Sequence, residues 1–150
     1  MAETDAIFEK VKEIKSLADA DPEMVRQSQD TKATLNIFDI SINGKSRGLK
    51  PVKAWDHDMR TKEKLVLGGI LEPVSEWQSF SIFTDSYKTS DFRVDGLFLW
   101  WNQRKKELSF VTRIVINLDN GPECSGLCYP FLLRMTEFVD VTRLTVHLIE

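Results

Sequence analysis

The stretch Leu108-Ser109-Phe110-Val111-Thr112-Arg113-Ile114-Val115-Ile116-Asn117-Leu118 alternates with a period of two. Leu108, Phe110, Ile114, Ile116 and Leu118 fall on one face, and Ser109, Val111, Arg113, Val115 and Asn117 on the other. Such alternation, rich in β-branched residues, marks a strand with one face against a core. Asp119-Asn120-Gly121-Pro122 follows as a turn. This strand places the chain among β-containing folds.

Further strands are expected over Lys64–Leu71, Trp77–Thr84, Gly96–Trp101 and Val141–Ile149. Gly96–Trp101 is apolar on both faces and reads as a central strand, with Asn102–Glu107 turning into the next one as a hairpin. Upstream, Leu35 and Ile37 are followed by Phe38, Ile40 and Ile42, a one-residue phase slip that points to a bulge. Asn43-Gly44 suits a two-residue hairpin turn, and Pro51 confines a return strand, Leu49–Trp55, to an edge.

Helical spacing governs the two ends. Ile7, Phe8, Val11, Ile14, Leu17 and Ala18 form an apolar stripe, with Thr4 as expected cap and Asp19–Pro22 as terminator. Asp21-Pro22 also resembles a helix start, so Glu23–Gln29 is expected to form a second short helix. Tyr129–Val139 reads as a late helix with Pro130 in its first turn. The expected fold is therefore α+β and β-rich: an N-terminal helix or two, then about seven mainly antiparallel strands in a sandwich or barrel-like arrangement, with one late helix. Regular strand–helix alternation is missing, which argues against a doubly wound fold. An acidic helical segment over 1–30 would precede a β-rich globular domain over 31–150.

The 150 residues carry 20 Lys+Arg against 23 Asp+Glu, a formal charge of −3, and 42% are hydrophobic, the profile of one soluble globular domain. No run approaches the ~20 apolar residues of a membrane-spanning helix. The acidic start, Glu3 to Asp5, lacks the basic and apolar regions of a secretory signal, so an intracellular, cytoplasmic protein is expected. In that compartment Cys124 and Cys128 are expected as reduced thiols.

Charge is unevenly spread. Residues 1–30 hold four basic and eight acidic groups, whereas 45–64 hold seven basic and three acidic ones. Lys45, Arg47, Lys50 and Lys53, with Trp55 as a stacking platform, suit phosphate groups or an anionic surface. Trp100 and Trp101 run into Arg104, Lys105 and Lys106, a pairing of aromatic rings and cations that suits a partner surface.

Catalytic constellations are scarce. His57 lies in Trp55-Asp56-His57-Asp58 but has no companion motif, and His147 alternates with apolar residues as a solvent-facing strand residue. Cys124 and Cys128 are separated by three residues, not two, and no phosphate-binding glycine loop is present. No catalytic, cofactor-binding or metal-binding residue is therefore assigned, and no cofactor is expected. The leading expectation is a non-enzymatic interaction or assembly protein, a matrix-like scaffold that self-associates and contacts a membrane surface or acidic partner. The alternative is a nucleic-acid-binding module using the basic 45–64 edge, and the third is a small enzyme using His57 or a cysteine.

Overall fold

The computed structural model describes residues 2–37, 63–74, 80–119 and 121–149. Helix α1 spans Ala2–Ala20, and strands β1 and β2 span Met24–Thr31 and Leu35–Ile37. Strands β3 (Glu63–Leu71) and β4 (Phe80–Asp85) lead to helix α2 (Ser90–Arg104). Strand β5 (Arg113–Leu118), helix α3 (Tyr129–Thr142) and strand β6 (Thr145–Ile149) complete the order.

Strand β3 pairs antiparallel with β1, β2 and β4, whereas β5 pairs parallel with both β1 and β6. Thr31 lies opposite Gly68 and Leu35 opposite Leu65, and the Lys32 amide donates to the Leu67 carbonyl at 2.8 Å. Segment β2 thus continues β1 along the same edge of β3, with one extra residue between them. The described residues form an open, mixed, five-stranded sheet in the order β4-β3-β1-β5-β6. It is not a barrel or sandwich, it does not have seven strands, and its centre is parallel rather than antiparallel.

Two expected elements changed type. Glu23–Gln29 is not a helix, because Asp21 Oδ1 accepts the Glu23 amide at 2.9 Å in a turn and the chain then extends into β1. Its inward-facing residues Gln27, Gln29 and Thr31 are buried but polar, so the period of two is invisible to a hydrophobicity reading. Gly96–Trp101 is not a strand but the second half of α2. Thr89 Oγ1 caps that helix by accepting the Phe92 amide at 3.1 Å, and buried Phe92, Arg93, Gly96, Leu97 and Trp100 recur at helical spacing. Short apolar runs fit buried helix and buried strand alike.

Elsewhere the expectations need trimming. Strand β5 begins only at Arg113, since Val111 donates to the Leu108 carbonyl at 3.0 Å in a preceding turn. The late helix extends to Thr142, where Arg143 adopts φ 62° as a left-handed cap, and the last strand starts at Thr145 rather than Val141. Thr4 lies inside α1, not at its cap. The Phe38–Ile42 bulge, the Asn43-Gly44 turn and the Leu49–Trp55 strand lie outside the described residues.

Both faces of the sheet are covered. Val66, Ile70, Phe83, Ile114, Ile116 and Leu118 pack with Leu97 and Trp100 of α2 and Phe131 and Phe138 of α3. On the opposite face Ala18, Val11 and Ile14 of α1 meet Val115, Ile149 and Met24. Part of the expected α1 stripe packs this way, while Ile7, Phe8 and Leu17 remain exposed. Burial of β5 on both faces is what a central parallel strand requires.

Candidate functional site

The parallel pairing of β1 with β5 ends with Gln29 opposite Leu118, so the residues that follow are Asp30, still within β1, and Asp119, just past β5. Neighbouring strands lie ~4.8 Å apart, so two carboxylate-bearing residues stand at the C-terminal ends of adjacent parallel strands. In open α/β sheets that edge is where ligands bind. Gln29 and Thr31 are buried, whereas the Asp30 side chain between them is 60% exposed, and that of Asp119 is 46% exposed. Lys32 Nζ stands 3.3 Å from Asp30 Oδ2.

Behind the pair lies Arg93, in the first turn of α2, with a fully buried side chain. Its Nη2 donates to Thr31 Oγ1 at 2.9 Å, Asp119 Oδ1 at 2.7 Å and Glu123 Oε1 at 2.8 Å. Its carbonyl accepts Gln29 Nε2 at 2.7 Å. Glu123 also pairs with Lys88 at 2.8 Å, and its carbonyl accepts Ser90 Oγ at 2.7 Å. Cys124 Sγ donates to the Asp119 carbonyl at 3.0 Å. The turn after β5 is thereby fastened to the start of α2.

Burial works against the Arg93 charge, but hydrogen bonds to Glu123 and Asp119 outweigh it and raise the pKa. Burial likewise pushes the Glu123 carboxyl up, and the hydrogen bonds from Lys88 and Arg93 override it, leaving the pKa below the usual range. For Cys124 burial prevails over nearby Arg93 and raises the thiol pKa. A buried neutral thiol is a poor nucleophile, so the cysteine-enzyme alternative gains no support from this site.

Among the described residues no group of three or more His, Cys, Asp or Glu is arranged to hold a metal. Carboxylates suit a hard divalent cation such as Mg²⁺, which takes oxygen ligands and is commonly held by one or two carboxylates plus substrate phosphates. Both aspartate side chains reach solvent, so a cation and a polyanionic substrate have access.

Residues singled out from the sequence lie elsewhere. Trp100 is fully buried, donating Nε1 to Glu72 Oε1 at 2.7 Å, and half-buried Trp101 packs against the same core. Arg104 pairs with Glu72 and Glu107, exposed Lys105 bonds Asn102, and Lys106 is also exposed. Lys45, Arg47, Lys50, Lys53, Trp55 and His57 lie outside the described residues. Cys124 and Cys128 are free thiols, and His147 is exposed on β6 as expected. No helix among the described residues is long and apolar enough to cross a membrane.

Sequence reasoning passed over Asp30 and Asp119. Asp119 had a usable signal, since it directly follows the clearest strand and opens a turn. Asp30 had none, because its strand read as helix. Their adjacency exists only through the parallel pairing of β1 with β5.

The family model described as the Rhodopirellula transposase DDE domain matches residues 1–150. No curated protein and no solved structure matches the chain. A transposase DDE domain implies DNA cleavage and strand transfer, which overturns the expectation of a non-enzymatic, matrix-like scaffold. Nucleic acid, set second from the sequence, becomes the partner that the match supports. The sequence misled because it offers no compact local catalytic motif. Matched along residues 1–150, the chain belongs to the family of Rhodopirellula transposase DDE domains.

Proposed function

We propose that Asp30 and Asp119 are the two aspartates of the family's acidic set and that together they hold a divalent cation for work on a DNA phosphodiester. What supports this reading is the β1–β5 register, which ends at Gln29 and Leu118 and leaves Asp30 and Asp119 as the next residues at the C-terminal strand ends. When bound, a cation of this kind supplies Lewis-acid stabilisation for charge developing on a phosphate under attack. The aspartates anchor it with hard oxygens and offset its charge. Without a cation, two adjacent carboxylates repel a polyanion, so neutralising them also favours approach of DNA.

Cations around the pair fit the same substrate. Lys32 is exposed beside Asp30, and Lys88 borders Glu123. The basic segment between β2 and β3 extends the reading: Lys45, Arg47, Lys50 and Lys53 would meet backbone phosphates, with Trp55 stacking on an unpaired base. Such contacts are salt-sensitive and carry little sequence information.

Asp30→Asn and Asp119→Asn keep the side-chain shape and remove the charge. With Mg²⁺ or Mn²⁺, each should lower nicking of supercoiled DNA by ~10²–10³-fold while leaving the circular dichroism spectrum unchanged. Each should also weaken Mn²⁺ binding in isothermal titration. Wild-type nicking and Mn²⁺ binding in both variants would overturn the assignment.

A further inference from the structure

We infer that Arg93 is a positioning residue: its buried guanidinium locks the two strand ends so that Asp30 and Asp119 are held ready for one divalent cation. This rests on the assignment of those aspartates as the cation-holding pair. Asp119 needs an external hold, since it lies one residue past the end of β5 with a carboxylate nearly half exposed. Arg93 provides it, taking Asp119 Oδ1 at 2.7 Å.

The same residue grips both sequence neighbours of Asp30. Gln29 Nε2 donates to the Arg93 carbonyl at 2.7 Å, and Thr31 Oγ1 accepts from its guanidinium at 2.9 Å. Main chain and side chain of one residue therefore connect the backbone that carries Asp30 to the carboxylate of Asp119. Glu123, itself held by Lys88, fixes the guanidinium from the third side.

Stability alone is a poor explanation for this arrangement. A buried charge pays a desolvation penalty that its partners often only match, and an apolar residue of similar volume commonly serves a core as well. Among the described residues Arg93 Nε and Nη1 find no hydrogen-bond partner, while the two protons of Nη2 are shared among three acceptors from three segments of the chain. Residues that orient metal ligands from behind typically change metal affinity by ~10–100-fold when replaced.

Mn²⁺ binding to the folded 150-residue chain, measured by isothermal titration and electron paramagnetic resonance, tests the inference without relying on turnover. Arg93→Met should weaken binding by ~10-fold or more. Thr31→Val, which removes one hydroxyl and keeps the side-chain shape, covers the case in which Arg93→Met does not fold. It should weaken binding severalfold, and Thr31→Ser, which keeps the hydroxyl, should restore it. Loss of binding in Asp119→Asn with wild-type affinity in folded Arg93→Met or in Thr31→Val would overturn the role of Arg93 alone. Wild-type affinity in Asp119→Asn would instead remove the aspartate assignment on which that role depends.

Discussion

Glu72, just past the end of β3, has a side chain only 1% exposed. Its Oε1 accepts Trp100 Nε1 at 2.7 Å and Arg104 Nε at 2.9 Å, while Oε2 takes Arg104 Nη2 at 3.2 Å. One carboxylate thus satisfies an indole and a guanidinium that the sequence places in an apparent surface patch. Trp100 buries its ring and spends its polar edge on this bond. Glu72→Ala would strand both donors, and the expected loss is ~3 kcal/mol by urea denaturation, at the lower end for a broken buried pair because Arg104 also reaches Glu107. Glu72→Gln should cost less, since its amide oxygen still accepts one of the donors.

Helix α2 approaches the sheet closely because glycines stand on both sides of one ring. Phe83 of β4 lies against Gly96 of α2 and Gly68 of β3, and a Cβ at either glycine would collide with it. Phe92 holds the ring from another side at a centroid distance of 4.8 Å, so retreat is restricted. Gly96→Ala would gain up to ~1 kcal/mol of helix propensity but force overpacking that costs ~1–3 kcal/mol. The net effect should be destabilising by ~1 kcal/mol, read from the denaturation midpoint. Adding Phe83→Leu should make Gly96→Ala nearly neutral or stabilising, and a strictly additive double mutant would show that the ring is not the obstacle.

The molecule is a sheet clamped between α1 on one face and the α2–α3 pair on the other, with its aspartate pair at the ends of the two central parallel strands. The Lys88–Glu123–Arg93–Asp119 chain of ion pairs joins this edge to the helical layer. Glu123 has its pKa depressed in the fold, so its stabilising contribution is complete above the unfolded value of about 4.5 and is lost as pH falls through the folded value. Thermal melts from pH 7 to pH 3 should therefore fall more steeply below pH 4.5 for the wild type than for Glu123→Gln. Parallel acid limbs in the two proteins would show that other carboxylates dominate acid unfolding.

Local pattern sufficed where inward positions were apolar and outward ones polar. The first helix, the strand over Lys64–Leu71 and the helix beginning at Tyr129 were legible in this way, whereas β5, expected with one buried face, is a strand buried on both, with Val115 packed on the α1 side. Polar inward residues hid β1, because Gln27, Gln29 and Thr31 occupy positions where a hydrophobic pattern expects aliphatic side chains. A run apolar on every side disguised α2, since full burial erases the difference between the two periods. The two aspartates could not be joined by local reading: Asp119 stands out after the clearest strand, Asp30 does not, and only the tertiary pairing of β1 with β5 brings their strand ends together. Sequence by itself determined where the chain alternates, turns and coils, because those are short-range steric and hydrophobic effects. Tertiary structure alone decided which strand ends meet, because register between distant segments is set by packing across the whole sheet.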